Sequence, residues 1–402
     1  MGGIPLRNAV IIDSVRTAVG RMGGTLKNEE VDYLAAATIN GLIERTGISK
    51  DEIDEVIIGQ AKQSTDQPNL ARLALLRAGL PIETPGYTVH RQCGSGVQAI
   101  HNGVQQIMCG LSDTIIAGGA ESMSQAPYYL RNARFGFGAG NAEILDSNTE
   151  SQPRAQPIET YGHLTMGMTA ENLAEKYEIT REEQDEFALM SQEKAEQAIS
   201  NARFKHQILP YPVKTKKGTV MFEVDEHPRK TSLEQLARLK PVFKDNGTVT
   251  AGNSSGRNDG AGLVLLMAEE TALKKGYTIK ARIIAQAVAG VSPEIMGIGP
   301  APATRKALKL AGLTLDDIGL IELNEAFAAQ SLAVIKELGM DINRVNVNGG
   351  AIALGHPIGG TGGVLMTKLL HEMERRGEKY GLVTFCIGGG LGITSIVENL
   401  QV

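Results

Sequence analysis

Gly47-Ile48-Ser49-Lys50-Asp51-Glu52-Ile53-Asp54-Glu55-Val56-Ile57-Ile58 returns 265 residues later as Gly312-Leu313-Thr314-Leu315-Asp316-Asp317-Ile318-Gly319-Leu320-Ile321-Glu322-Leu323. Each copy opens on a glycine, the residue that ends a helix in the left-handed conformation without steric cost. Each then caps a new turn: Ser49 with Glu52 as a capping box, Thr314 with Asp317 as a looser version. Each closes on an apolar run of strand length. The same shift sets Cys93 opposite Ile358, and Gly94-Ser95-Gly96 opposite Gly359-Gly360-Thr361. Helical spacing follows both sites, through Val97, Ile100, Val104, Ile107 and Met108 in one and Leu365, Leu369 and Met373 in the other. Chance likeness over a dozen residues is the alternative, and it leaves the paired helix entrances unexplained. The expectation is an α/β protein of two duplicated halves, strands alternating with helices, each half offering a glycine-rich helix N-terminus to a shared centre.

At 402 residues the chain exceeds a single hydrophobic core. The expected N-terminal half starts at the strand Val10-Ile11-Ile12 and comprises residues 1–124 with 252–278, and the C-terminal half, 279–402, has its first strand near Ile283-Ile284. Residues 125–251 are richer in polar and charged side chains and read as helices and loops inserted over the active site. One helix is expected to open at Thr169-Ala170-Glu171-Asn172-Leu173-Ala174. A second opens at the capping box Thr180-Arg181-Glu182-Glu183 and continues through Phe187, Met190 and Ala195.

Composition excludes several functions. A net charge of −5 with no Trp and 4% aromatic residues gives neither the basic surface nor the stacking platforms of a nucleic-acid binder. Three cysteines, Cys93, Cys109 and Cys386, cannot all pair, which fits a reducing compartment; no CxxC or Cys/His cluster supports a metal site. Met1-Gly2-Gly3-Ile4-Pro5 has no apolar leader core, Leu6 spoils a myristoylation signal, and no apolar run is long enough to span a membrane. The reading is a cytoplasmic protein with no membrane partner.

Four glycine-flanked positions carry chemistry. Cys93, in His90-Arg91-Gln92-Cys93-Gly94-Ser95-Gly96, stands ahead of a helix, where unpaired N–H groups and the helix dipole favour thiolate. It is a candidate nucleophile, with an inert buried thiol as the alternative. Asn324, in Asn324-Glu325-Ala326-Phe327-Ala328, ends the repeated strand, where ligands sit in open α/β sheets; it either holds a water or oxyanion or simply caps the next helix. His356, in Asn348-Gly349-Gly350-Ala351-Ile352-Ala353-Leu354-Gly355-His356-Pro357-Ile358-Gly359, occupies the loop equivalent to that of Cys93, and imidazole beside thiol is an activating pair. Cys386, in Cys386-Ile387-Gly388-Gly389-Gly390-Leu391-Gly392, is a second thiol at a strand end, followed by backbone N–H groups suited to an oxyanion. Neither a phosphate-loop nor a dinucleotide fingerprint is present.

Together with Ala117-Gly118-Gly119-Ala120-Glu121-Ser122-Met123-Ser124 and Thr250-Ala251-Gly252-Asn253-Ser254-Ser255-Gly256, these motifs resemble those of the thiolase family, in the family's order and over the whole chain. The resemblance implies a five-layered fold with a loop domain over the site, and a homodimer or homotetramer. It implies Cys93 as the acylated nucleophile, His356 as its base and Cys386 as the acid/base for the α-proton. One oxyanion hole would be His356 with a water held by Asn324, the other the N–H groups of Cys93 and Gly388. Arg229 would lie near the adenine of coenzyme A, Ser255 along the pantetheine, Met166 and Phe243 around the thioester, and Met296 and Phe327 at the acyl pocket. Substrates would be acyl-CoA and CoA, with no tightly bound cofactor and no metal. The implied reaction joins two acetyl-CoA into acetoacetyl-CoA and CoA, reversibly. The alternatives are a 3-ketoacyl-CoA thiolase for longer chains and a non-catalytic acyl-CoA carrier; Cys386 disfavours decarboxylating condensing enzymes. Thr165-Met166-Gly167 departs from the His-Met-Gly frequent in short-chain members, and Ser254 and Arg257 replace smaller or apolar residues.

Overall fold

A computed structural model describes residues 6–402; the N-terminal stretch Met1–Pro5, read above for leader and lipidation signals, lies outside them. The nine strands that position the site are β1 (Ala9–Thr17), β2 (Glu55–Gly59), β3 (Gly86–Val89), β4 (Thr114–Ser122), β5 (Asn258–Ala268), β6 (Ala281–Gly290), β7 (Leu320–Leu323), β8 (Tyr380–Ile387) and β9 (Leu391–Asn399). They run in the order β7-β8-β9-β6-β1-β5-β4-β2-β3. The duplication is written into this order. In the N-terminal half β2 runs parallel to β4, which pairs antiparallel with β5 and that in turn with β1. In the C-terminal half β7 runs parallel to β8, which pairs antiparallel with β9 and that with β6. The halves join where Val10 and Ile11 of β1 meet Arg282 and Ala281 of β6.

The repeated segment folds alike in both places. Gly47 and Gly312 each end a helix at φ 68°, and the Ser49–Glu52 and Thr314–Asp317 capping boxes both form on single turns of 3-10 helix. The Asp317 carboxylate accepts the Thr314 N–H at 2.8 Å, so the looser box is complete.

Helices fill three layers around the strands. Val31–Thr46 and Leu70–Arg77 cover the outer face of the N-terminal half, and Pro300–Ala311 with Ala328–Leu338 cover that of the C-terminal half. Between the halves lie Ser95–Met108 and Thr361–Arg376, the two helices that the shift pairs, in contact with each other. Every residue of β1 is buried, and its alternation serves two cores: Val10 packs with Leu34 and Leu75, Ile11 with Val97 and Leu365. The central helices approach through glycine. A Cβ on Gly96 would lie 2.7 Å from Gly359 O and 3.1 Å from Gly362 Cα, so any side chain there forces the helices apart.

In the C-terminal half β8 and β9 are joined by Gly388-Gly389-Gly390, with Gly389 and Gly390 at φ 87° and 84°. In the N-terminal half the equivalent connection, between β4 and β5, is the whole segment 123–257. The polar insertion therefore leaves the scaffold at the strand ends where the site lies. It holds two short strand pairs as well as helices. The capping box at Thr180 and Glu183 starts the helix Arg181–Ser200 as expected. The preceding helix corrects the sequence reading: it spans Met166–Lys176 with Thr165 as N-cap, accepting from Met168 N, while Thr169 lies within it and donates to Met166 O at 2.6 Å. Arg16 and Asp225 tie the insertion to β1 through a fully buried ion pair of 2.7 Å, with Gln207 accepting from Arg16 Nε at 2.8 Å. Among the described residues no helix is long and apolar enough to cross a membrane.

Candidate active site

Cys93 sits one residue ahead of Gly94, the N-cap of the helix Ser95–Met108. The elbow that carries it is held by Ser95, whose hydroxyl donates to Gln92 O at 2.6 Å and accepts from Arg91 N at 2.9 Å. Gln92 adopts φ 47°, a left-handed conformation that costs a residue with a Cβ about 1–3 kcal/mol and is sustained by the surrounding bonds. The N–H groups of Gly388 and of Cys93 itself reach the sulfur. The expected bias toward thiolate is not met. Burial pushes the Cys93 thiol up and outweighs the lowering by the Gly388 N–H, the Lys62 charge and its own N–H. The resting group is a thiol, and its proton needs an acceptor.

His356 lines the same cavity as Cys93. It is buried at the other helix entrance, and burial lowers its pKa to about 4, so it is neutral near pH 7. Its tautomer follows from a chain of bonds. The Thr361 hydroxyl donates to Pro357 O at 2.8 Å, so its oxygen accepts from His356 Nδ1 at 2.7 Å. With the proton on Nδ1, Nε2 carries the lone pair, and Asn324 Nδ2 lies 3.5 Å from it. The His356 backbone N–H donates to Asn258 Oδ1 at 2.9 Å, fixing the loop.

Asn324 follows β7, fully buried, and its Oδ1 has no donor among the described residues. It does not cap the next helix, which starts at Ala328 with Phe327 in the N-cap position. Glu325 beside it is also buried and accepts from Ser191 Oγ and Asn346 Nδ2, both at 2.7 Å, anchoring the loop. Cys386 lies near the end of β8, packed with Met296, Phe327 and Ala326; burial first, and Cys93 second, push its thiol far up.

A cavity of about 200 Å³ joins these elements, lined among others by Cys93, His356, Gly388, Met166, Phe243, Met296, Phe327 and Ser255. Phe243 and Phe327 meet edge to face at 6.1 Å. Bridges between Ser254 and Phe327, and between Arg257 and His356, draw the segment 254–257 along one wall. Of the expected site residues, three lie outside the cavity lining: Cys386 and Asn324, both buried beside lining residues, and Arg229, which is exposed and donates to Ala251 O at 3.1 Å. Sequence reasoning missed Lys62, Gln152 and Ser151, which line the same cavity, and the role of Thr361. The duplication held a signal for Lys62, since the shift sets it opposite Phe327.

The Thiolase, N-terminal domain family model matches residues 9–270, and the Thiolase, C-terminal domain model matches 277–399. An acetyl-CoA acetyltransferase of Pseudomonas aeruginosa is 51% identical over 390 residues, covering 96% of this chain and 98% of that one. The crystal structure of the Bacillus anthracis acetyl-CoA acetyltransferase superposes with a TM-score of 0.96 at 48% identity, covering 98% of this chain and all of the other. Human mitochondrial 3-ketoacyl-CoA thiolase in complex with CoA gives a TM-score of 0.93 at 45% identity, with 99% and 100% covered.

Proposed function

The chain belongs to the thiolase family and is an acyltransferase, and from that premise we propose that it interconverts two acetyl-CoA with acetoacetyl-CoA and CoA through an acyl-Cys93 intermediate. The observation that carries this reading is the convergence of a neutral thiol and a neutral imidazole, from duplicated helix entrances, on one cavity. The Cys93 proton passes to His356 Nε2 as Sγ attacks the thioester carbonyl. CoA leaves as thiolate and takes the proton of Cys386, which burial keeps protonated until then, while His356 holds the Cys93 proton. The N–H groups of Cys93 and Gly388 receive the oxyanion of this step. The Cys386 thiolate takes the α-proton of the second acetyl-CoA, whose enolate oxygen faces the protonated His356 Nε2 and a water on Asn324 Oδ1. The enolate carbon attacks the acetyl-Cys93 carbonyl and expels the Cys93 thiolate, which recovers its proton from His356. Coenzyme A is held by Met166, Phe243 and Ser255, with Arg229 outside the cavity toward the adenine.

A second reading, thiolysis of longer 3-ketoacyl-CoA, is favoured by Thr165 and by the likeness to the human 3-ketoacyl-CoA thiolase. We extend the proposal to a cytoplasmic location, which three free cysteines suit, and to a homodimer or homotetramer, which the family resemblance implies. Incubation with acetyl-CoA followed by peptide mass analysis tests the mechanism: acetyl on Cys93 is expected, and acetyl on Cys386 alone overturns it. Cleavage rates along a 3-ketoacyl-CoA series separate the two readings.

A further inference from the structure

Part of the cavity wall carries charge where an unsubstituted acyl chain has nothing to offer it. Lys62 follows β2, is 8% exposed and lines the cavity with Cys93. Its ammonium donates to Ser147 O at 3.1 Å and Ser151 Oγ at 2.5 Å, and its third N–H has no acceptor among the described residues. Nor does any described carboxylate oxygen lie within 4.0 Å of it. The acidic groups that feel it are Glu121, Cys93 and Asp146, and the two carboxylates are engaged elsewhere. Glu121 accepts the N–H groups of Ala61, Lys62 and Gly359 at 2.9–3.1 Å. Asp146 lies 3.6 Å from Arg257, the second cation on this wall, whose other contact, to Thr149 Oγ1, is 3.4 Å.

A buried ammonium with a free N–H and no touching carboxylate is costly, and an incoming anion removes that cost. Cys93 is a poor choice for the anion. Its sulfur already has two N–H donors, and His356, its proposed base, lines the same cavity.

We propose that Lys62, with Arg257, is a specificity-determining residue that receives an anionic group at the far end of the acyl chain. Resting on the thiolase reaction proposed above, the inference adds acyl-CoAs of dicarboxylic acids to its substrates.

The test compares 3-oxohexanoyl-CoA with 3-oxohexanedioyl-CoA, its equal in length with a terminal carboxylate, alongside dicarboxylic chains of five, seven and eight carbons. Acetoacetyl-CoA is the reference for the parent reaction. The wild type is expected to favour at least one dicarboxylic chain in kcat/KM over its neutral counterpart. Lys62→Met is expected to cut that preference roughly ten- to a hundred-fold, the worth of a charge-assisted hydrogen bond. A wild type without such a preference at any length overturns the proposal, and needs no variant. So does a Lys62→Met enzyme that loses all substrates in parallel, since Lys62 then serves Cys93 or the phosphates of CoA. Arg257→Met supplies the second variant, expected to narrow the same preference. A wild type that cleaves dicarboxylic but not acetoacetyl-CoA overturns the acetyl reading and leaves this one standing; cleavage of none overturns both.

Discussion

Replacing Thr361 by Val removes one oxygen and nearly nothing else, and it tests how His356 is made a base. In the structure the Thr361 oxygen is the only described acceptor for His356 Nδ1, at 2.7 Å, inside a buried environment. Without it, an Nδ1–H has no partner, which costs about 1–3 kcal/mol. The ring escapes by moving the proton to Nε2, where Asn324 Oδ1 is free to accept if the amide turns over. That tautomer has no lone pair toward the cavity. The fraction of competent enzyme then falls by the same free energy, roughly ten- to a hundred-fold. Rapid-quench acetylation of Cys93 by acetyl-CoA measures this directly. Thr361→Ser keeps the oxygen and is expected to restore the rate, while both variants melt near the wild type. If Thr361→Val acetylates as fast as the wild type, the tautomer argument is wrong and His356 is oriented by something else.

Cys386→Ser should still form acetyl-Cys93, but exchange of the acetyl-CoA methyl protons with solvent should fall by about two orders of magnitude or more, since a hydroxyl is a far weaker acid than a thiol; undiminished exchange followed by NMR would move the acid/base role elsewhere. Buried His356 and half-buried His227 and His371, with pKa values lowered to about 4, and buried His101, lowered to about 3, are neutral near pH 7. The unfolded chain binds their protons first, so stability is full above about pH 6.5 and is lost as pH falls toward 4, by about 1.4 kcal/mol per pH unit for each histidine; denaturant titrations at stepped pH measure the slope. Asp225→Ala leaves the Arg16 guanidinium buried without its carboxylate, and should destabilise by about 3–5 kcal/mol; a melting curve unchanged from the wild type would contradict it.

What the sequence disclosed was local or periodic. The capping boxes, the glycine helix ends and the apolar spacing after Cys93 each lie within a few residues along the chain, and the repeat doubled every one of them. What it concealed depends on distances through space. Thr361 is an ordinary first residue of a helix until His356 folds back on it from five positions earlier. The Cys93 thiol has the helix entrance that lowers a pKa, but no local pattern reports the burial that raises it. The helix start at Thr165 was misjudged by four residues because Thr169 is an equally good cap, and only the tertiary course of the chain chooses between them. For Lys62 the repeat offered only its pairing with Phe327; its burial is created by the insertion, through Ser147 and Ser151.

The seam between β1 and β6 bears on how the chain is made. Strand β1 leaves the ribosome well before its neighbours Asn258–Ala268 and Ala281–Gly290, which follow it by more than two hundred residues. At roughly 5–20 residues per second, synthesis of the intervening chain lasts tens of seconds. Through that interval an apolar strand destined for burial on both faces has neither of its lateral partners, an invitation to pair with strands of other chains. The N-terminal half is thus no independent folding unit during translation. Its completion waits on the insertion that separates β4 from β5, and the order of events is set by chain connectivity.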